Sequence, residues 1–212
     1  MNAPILLLRV DVSREHGTGH LMRCKALADA WQKAGGAVTL ATTTDVSPYA
    51  AWLGTITIQQ LDSEPATTAD ARETAALALA LGAHWVAVDG YPFASEWQTA
   101  FGNATPLLFF DDYGHGSPHS ARIVLNQNPT ASPALYSARS PRTALLLGSQ
   151  YALLREQFRS WIGWKRRTPP RAKKLLVTFG GTDPAGLTLR VVPILLNTTR
   201  HASYRWFAGR SN

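Results

Sequence analysis

The sequence predicts an α/β protein built on a parallel sheet with helices on both faces. Short, continuous apolar runs alternate with helical stretches along the chain, as they do in successive βαβ units. The order strand, glycine loop, helix also occurs twice, once on each side of a basic segment at residues 151–172. We therefore expect two similar lobes, with residues 1–150 in the first and residues 173–212 at the start of the second.

The first strand and helix flank a glycine-containing loop. Ile5–Val10 is an apolar run short enough for a buried strand. Gly17, Thr18 and Gly19 follow it, and glycine allows a tight turn that a side chain would obstruct. A helix then opens at His20 and stops at Gly35-Gly36. Its apolar positions recur at helical spacing and are Leu27, Ala30, Trp31 and Ala34.

The rest of the first lobe continues the alternation. Two more helices are expected, one over Ala66–Leu81 with Thr67 or Thr68 as its cap and Gly82 as its stop, and one over Phe93–Phe101. Six further strands are indicated by short apolar or β-branched runs. They are Ala37–Thr42, Thr55–Gln60, Trp85–Val88, Pro106–Phe110, Arg122–Leu125 and Ala144–Leu147.

A basic segment separates the two lobes. Pro169-Pro170 blocks a continuous helix there, which favours a linker. Trp161 and Trp164 lie among the basic residues, a composition also found in nucleic-acid surfaces, but no nucleic-acid-binding motif accompanies it. A solvated interdomain segment is the favoured interpretation. Its basic residues are Arg155, Arg159, Lys165, Arg166, Arg167, Arg171, Lys173 and Lys174.

The second lobe is predicted to be incomplete. Lys174–Phe179 is an apolar strand, and Pro184 follows a glycine turn as the first residue of a helix that Pro193 should kink or end. Tyr204–Ala208 is the next strand. Two strands and one helix cannot cover both faces of a parallel sheet, so we expect the chain to be a fragment of a longer protein.

Composition limits the classes of function. The formal charge of +7 suits an acidic ligand such as a nucleotide. Cys24 is the single cysteine, so an internal disulfide is excluded and a cytoplasmic location is expected. The opening apolar run is too short for a signal peptide, and no run approaches membrane-spanning length. We expect no membrane partner and no nucleic-acid partner.

Residues with side chains suited to binding or catalysis follow several of the predicted strands. Asp11, Asp89, Tyr91 and the pair Asp111-Asp112 come after strands, where ligands bind in parallel sheets. His20 opens a helix after a glycine loop, an arrangement that binds anions and disfavours the imidazolium form. We expect His20 to act as a base and Asp11 to orient its ring, although capping roles for these residues remain open.

Two pairs of residues have spacings found in other kinds of site. Cys24 is one turn after His20, which suits a zinc pair or a Cys–His nucleophile, but no third metal ligand at suitable spacing is evident. A buried cysteine there is more often a core residue. His115 and His119 are four residues apart, yet Gly116 and Pro118 prevent the helix that would align them, so they are expected to be loop histidines.

Taken together, the motifs carry a resemblance to a known family. The chain resembles the UDP-2,4-diacetamido-2,4,6-trideoxy-β-L-altropyranose hydrolases of pseudaminic acid biosynthesis, which are grouped with spore-coat polysaccharide biosynthesis proteins. The matching residues occur in the family's order over nearly the whole chain. They are Arg9-Val-Asp11, Gly17-Thr-Gly-His20-Leu-Met-Arg23-Cys24, Val88-Asp89-Gly-Tyr91, Asp111-Asp112, Leu125-Asn-Gln-Asn128, Leu147-Gly148, Tyr151-Ala-Leu-Leu-Arg155, Phe158 and Phe179-Gly-Gly-Thr-Asp183-Pro184.

The resemblance implies a fold and a reaction. The implied fold is the two-lobe glycosyltransferase type (GT-B) with Rossmann-like lobes, related to the UDP-N-acetylglucosamine transferase of peptidoglycan synthesis, and with the second lobe truncated here. The implied reaction is attack of water on the anomeric carbon of a UDP-sugar, with His20 as base, no metal and no cofactor. A monomer is expected for the full-length protein. A transferase of the same fold, an inactive fragment and a nucleic-acid binder are the alternatives.

The resemblance also assigns binding residues. It places Tyr91 near the sugar and the turn Gly180, Gly181, Thr182 and Asp183 beside the diphosphate. Candidate substrate-binding residues elsewhere are Asp11, Gly17, Gly19, Arg23, Asp89 and Arg155, of which the two arginines are suited to offset charge on UDP. In two respects the chain departs from the family. His16 replaces an aliphatic residue, and the part of the second lobe that supplies most uridine contacts lies beyond Asn212.

Overall fold

A seven-stranded parallel sheet dominates the computed structural model, which describes residues 3–12, 18–170, 174–179, 183, 185–198 and 203–207. Its strand order is β3-β2-β1-β4-β5-β6-β7, and each neighbouring pair is parallel. This confirms the predicted α/β class. The strands are β1 (Ile5–Val10), β2 (Ala37–Thr42), β3 (Thr57–Gln60), β4 (Trp85–Asp89), β5 (Leu107–Phe110), β6 (Ile123–Asn126) and β7 (Ala144–Leu147).

Four helices connect these strands within the described residues: α1 (Gly19–Lys33), α2 (Ala50–Leu53), α3 (Thr68–Leu81) and α4 (Ser95–Phe101). Short 3₁₀ turns cover Ser47–Tyr49, Pro133–Tyr136, Ser149–Tyr151 and Glu156–Trp161. None of the helices in the described part of the chain is long and apolar enough to cross a bilayer.

The observed helix ends have local causes. Helix α3 begins after Thr67, whose hydroxyl accepts a hydrogen bond from the Asp70 amide, and it stops at Gly82 in the left-handed conformation with φ of 63°. The predicted cap and stop are thus confirmed. The predicted start at Ala66 is wrong, because Ala66 has φ of 58° and cannot belong to a right-handed helix.

The buried face of α1 differs from the predicted one. Leu21, Cys24 and Ala28 are buried, whereas the predicted core positions Ala30 and Ala34 are exposed. Leu27 and Trp31 lie at the edge of the buried stripe and are partly covered. Alanine is compatible with both core and surface, so the apolar spacing alone did not fix the orientation of the helix.

Two apolar clusters cover opposite faces of the sheet. Alternate residues of one strand point to opposite faces, so Leu7 belongs to one cluster while Leu6 and Leu8 belong to the other. Helix α1 contributes Leu21 and Cys24 to the second cluster. The largest side chains of the first cluster include Trp97 and Phe101 of α4, whose rings stack at 5.3 Å. Burial on both faces explains the continuous apolar strands.

The described residues divide into two compact units. The first comprises those up to Arg159 except Thr18, and the second comprises Thr18 and those from Ser160 onward. The break after Arg159 falls inside the predicted linker of residues 151–172. The second unit contains a parallel pair, β8 (Lys174–Thr178) and β9 (Ser203–Phe207), and helix α5 (Leu187–Thr198).

Helix α5 departs from the prediction at its start. It begins at Leu187 rather than at Pro184, which lies outside the described residues, and its first amides are capped by Asp183. It continues through Pro193, so of the two predicted effects of this proline, a kink or an end, the end does not occur. Pro193 deprives the Leu189 carbonyl of its helical partner, but Leu189 is 77% exposed, so water is available to that carbonyl.

Candidate functional site

The candidate site lies at the carboxyl ends of β1, β4 and β5. The chain leaves β1 toward β2 on one side and β4 toward β5 on the other, so the strand order reverses between β1 and β4. In an open parallel sheet, a crevice forms at such a switch point. Helix α1 starts beside it, and its first turn carries His20 and Arg23.

A buried carboxylate holds His20. The Nδ1 atom of His20 lies 2.7 Å from Oδ1 of Asp89, the last residue of β4, and the Asp89 side chain has no exposed surface. A carboxylate accepts hydrogen bonds, so Nδ1 carries the proton and Nε2 of the neutral ring has the lone pair. That is the tautomer required of a general base acting through Nε2.

Asp89, and not Asp11, is therefore the residue that orients His20. The expectation for Asp11 is wrong because its carboxylate is already used by Arg9, at 2.7 Å for each oxygen. Asp11 also accepts from the Thr43 amide at 2.8 Å. Burial raises the pKa of Asp11, but the Arg9 guanidinium outweighs it and leaves the pKa below its usual value.

Arg23 joins two strand ends through two carboxylates. Its Nε and Nη2 atoms contact the two oxygens of Asp89 at 2.7 and 2.6 Å, and Nη1 contacts Asp112 at 2.8 Å. Burial lowers the pKa of Arg23, but the two carboxylates more than reverse this, so the guanidinium stays charged. All three of its nitrogens serve Asp89 and Asp112. Arg23 thus ties the ends of β4 and β5 together, and its predicted contact with substrate stays a prediction.

Cys24 is a core residue next to this network. Its side chain is fully buried, and its Sγ atom lies 3.9 Å from Asp89. Burial, together with the Asp89 charge, raises the pKa of the thiol well above its usual value. A thiolate nucleophile is accordingly disfavoured at this position. Within the described residues no group of three or more His, Cys, Asp or Glu side chains is arranged to hold a metal ion.

Aromatic rings line the open side of the cluster. The Tyr91 ring meets the His20 imidazole edge-on, with centroids 4.6 Å apart. Tyr113 lies 5.5 Å from Tyr91, and His115 lies 5.7 Å from it. Tyr91 is 38% exposed and Tyr113 is 58% exposed, so both rings are available to a ligand. Burial, with the Asp112 charge, raises the pKa of Tyr91, which keeps its hydroxyl protonated near neutral pH.

The loop after β5 is fixed by Asp111. This buried carboxylate accepts hydrogen bonds from the backbone amides of Tyr113 at 2.9 Å and Gly116 at 2.9 Å, and from that of Gly114. Burial raises the pKa of Asp111, but the neighbouring His115 and His119 imidazoles and the Gly116 amide hold it well below its usual value. The loop is therefore preorganised around a charge.

Two asparagines extend the site along β6. Asn126 donates to the Asp112 carbonyl at 3.0 Å, and Asn128 donates to the Asp112 carboxylate at 3.2 Å. Sequence reasoning missed their role, and it also missed Tyr113 and His115. The available signal was positional, because all four residues follow or end a predicted strand at the same sheet edge.

Other predicted site residues have different surroundings. Gly19 begins α1, and a Cβ added there would meet no atom within 4 Å, so its backbone is open to a close approach. The exposed Arg155 guanidinium stacks on Phe158 at 5.4 Å. Asp183 uses both carboxylate oxygens to cap α5, at 2.9 and 2.8 Å. Four predicted residues lie outside the described part of the chain: Gly17, Gly180, Gly181 and Thr182.

Comparison with known proteins identifies relatives of the fold. No protein-family profile matches the chain, and no curated protein matches it. Among solved structures, the chain is similar to MurG of Acinetobacter baumannii, with a TM-score of 0.59 and 14% identity. It is also similar to a glycosyltransferase from Rickettsia africae, with a TM-score of 0.57 and 11% identity. The match covers 100% of this chain and 69% of each relative.

At these identities the likeness concerns the fold alone. It agrees with the predicted Rossmann-like α/β architecture and with the GT-B fold that the family resemblance implied. The chain is thus an α/β protein with the fold of bacterial glycosyltransferases, and its candidate site lies at the switch point of that fold.

Proposed function

We propose that the chain belongs to an enzyme that cleaves the anomeric bond of a UDP-linked sugar, with His20 as the general base. The observation that carries the proposal is the His20–Asp89 contact of 2.7 Å at the start of α1. A base at the switch-point crevice is positioned for a bound ligand, and a helix start with an open glycine suits the phosphates that such a ligand carries.

The proposed reaction needs a base and a stabilised leaving group. His20 Nε2 takes a proton from the attacking hydroxyl as oxygen bonds to the anomeric carbon and the bond to UDP breaks. The imidazolium that forms remains paired with Asp89, whose negative charge is already in place. The amides at the start of α1, next to Gly19, are suited to stabilise the charge that develops on the departing UDP. Arg155 and the turn from Gly180 to Asp183 stay candidate contacts for UDP.

Water is the proposed attacking group. The ordered motifs around His20, Asp89 and Tyr91 resemble those of the UDP-2,4-diacetamido-2,4,6-trideoxy-β-L-altropyranose hydrolases, and that resemblance supports hydrolysis of a diacetamido sugar. Transfer to a sugar or lipid acceptor is the second candidate. The two solved structures of similar fold favour it, since one of them is named a glycosyltransferase. Both candidates use the same base and the same leaving group.

One measurement separates the two candidates. Purified protein, in the longest form that the reading frame encodes, is incubated with UDP-linked diacetamido sugars, and UDP release is followed without any acceptor. Rapid release supports hydrolysis. Release that requires an added acceptor supports transfer, and no release under either condition contradicts the proposed function.

Changing Asp89 to Asn is expected to lower kcat by about a hundredfold or more, because the amide no longer fixes the proton on Nδ1 of His20. KM for the UDP-sugar should change little, since the Asp89 side chain is fully buried and its two oxygens are engaged by His20 and Arg23. The measurement is the pH profile of kcat, in which the limb that reports the base should shift or vanish.

Asp112→Asn is the matched control for Asp89→Asn. It removes a carboxylate from Arg23, at 2.8 Å, without touching His20. If both variants lose activity equally with unchanged pH profiles, Asp89 acts only by supporting Arg23 and the orienting role is wrong. Circular dichroism establishes that each variant is folded.

A further inference from the structure

We propose that Tyr91 and Tyr113 form a sugar-binding wall, in which Tyr113 is a specificity-determining residue for an N-acetylated pyranose. This inference rests on the proposed function and extends it to a residue that neither the motifs nor the comparisons assign. It is carried by the placement of two partly exposed rings beside the candidate base.

The first observation is the position of the wall. Tyr91 is in edge contact with His20 at 4.6 Å, and Tyr113 continues the aromatic surface 5.5 Å further on. In a UDP-sugar the anomeric carbon belongs to the pyranose, and two phosphates and a ribose separate it from the uracil. A group that lies against rings adjoining the base is therefore the pyranose and not the nucleobase.

The second observation is that the Tyr113 side chain is exposed while its backbone is fixed by a hydrogen bond. It is 58% exposed, yet its backbone amide donates to Asp111 at 2.9 Å in the loop that Asp111 organises. A large aromatic side chain on a preorganised loop loses little conformational freedom when it binds a ligand. Such residues on rigid scaffolds commonly carry recognition.

The third observation is the imidazole behind the wall. The His115 side chain is only 8% exposed and packs against Tyr113 at 5.0 Å and Tyr91 at 5.7 Å. Its Nδ1 atom approaches Asp111 at 3.2 Å, but neither ring nitrogen has a hydrogen-bond partner of good geometry among the described residues. A buried polar ring without such partners costs stability, and the contacts that this ring does make hold the two tyrosines in position.

The chemistry of the wall selects the ligand class. An aromatic face attracts the C–H face of a pyranose and the methyl group of an acetamido substituent through dispersion and burial. The two ring centres are 5.5 Å apart, so one ring is available to the pyranose and the other to a substituent. An N-acetylated pyranose should accordingly bind better than the same sugar without the acetamido group.

The test uses saturation-transfer NMR with free N-acetylglucosamine and free glucose as probes of the unmodified chain. Saturation of the protein should reach the acetamido methyl of N-acetylglucosamine, and glucose should receive less. Tyr113→Ala should weaken N-acetylglucosamine binding about three- to tenfold, the range of one aromatic contact. Tyr113→Phe should bind nearly as well as the wild type, because the ring and not the hydroxyl makes the contact.

The matched control is Trp161→Ala. Trp161 is another aromatic residue with 58% exposure, and it belongs to the second unit. Its replacement should leave sugar binding unchanged. The proposal is overturned if the wild type transfers no saturation to either sugar, if Tyr113→Ala binds as well as the wild type, or if Tyr113→Phe loses as much as Tyr113→Ala.

These outcomes are distinct from failure of the proposed function. Free sugars contain no UDP, so the NMR result does not depend on cleavage of a UDP-sugar. Absence of UDP release together with Tyr113-dependent sugar binding would contradict the reaction and support the wall. UDP release with unchanged kinetics in Tyr113→Ala, and no sugar signal, would support the reaction and contradict the wall.

Discussion

Replacing His20 by alanine is expected to lower the rate of UDP release by about 10²- to 10⁴-fold, the usual contribution of a general base. The loss should appear in kcat, because the imidazole acts on the attacking hydroxyl rather than on the bound sugar. His20 is mostly buried but packs at the start of α1, at the edge of the core, so the variant should stay folded. The measurement is steady-state UDP release over a range of pH, with thermal unfolding as the check on folding.

His84→Ala is the matched control for that variant. His84 is exposed and precedes β4 at the opposite end of the strand from Asp89, where its ring accepts a hydrogen bond from the Ile5 amide at 3.1 Å. Its removal should leave UDP release unchanged. If His20→Ala releases UDP at a near-normal rate, the base is another group and the proposed mechanism is wrong.

The sequence predicted the fold well because the strands carry their own signal. Residues such as Leu6, Leu7 and Leu8 are buried on both faces of the sheet, and a continuous apolar run records that directly. The sequence indicates less clearly which face of a helix is buried. Ala30 and Ala34 fit a core and a surface equally well, so these two of the four predicted core positions are exposed.

The sequence predicted where the candidate site lies but not which of its side chains contact each other. Asp11 directly follows β1 and Asp89 ends β4, and nothing in their spacing along the chain says which one reaches the imidazole. The structure decides which aspartate pairs with His20. Arg9 already engages Asp11 after β1, and Asp89 at the end of the neighbouring strand β4 reaches the imidazole. The contacts of Arg23 with Asp89 and Asp112 were not predicted either, because all three residues are far apart in the sequence or follow different strands.

Tyr113 and His115 were missed because loop contacts are nonlocal. Gly116 and Pro118 correctly predicted that His115 and His119 lie in a loop, but this prediction gave no indication of what their rings contact. The Asp111 carboxylate binds backbone amides of the loop after β5, and in this loop conformation His115 contacts Tyr91, which follows β4. Only the three-dimensional arrangement brings those rings together.

Replacing Arg9 by methionine is expected to lower the free energy of unfolding by about 3–5 kcal/mol, the usual effect of breaking a buried ion pair on one side. The Arg9 side chain has no exposed surface, and it contacts Asp70 at 2.7 and 2.8 Å in addition to Asp11. Methionine keeps the packing of the stem but leaves two carboxylates without their cation. Urea unfolding at pH 7 measures the difference.

Arg122→Met provides the corresponding surface control. Arg122 is exposed and donates to the Arg142 carbonyl at 3.0 Å, so its loss should change the free energy of unfolding by less than about 0.5 kcal/mol. A similar small value for Arg9→Met would mean that the Arg9 cluster contributes nothing to holding β1 against α3.

The pH dependence gives an independent check on the Arg9 cluster. The pKa of Asp11 is lowered in the folded protein, so its contribution is fully present above the unfolded value of about 3.9 and is lost as pH falls through the lower, folded value. Arg9→Met lacks the cation that lowers this pKa. The difference in unfolding free energy between wild type and variant should therefore be largest near pH 7 and should shrink below about pH 4. A difference that stays constant or grows on acidification would contradict a stabilising charge interaction between Arg9 and Asp11.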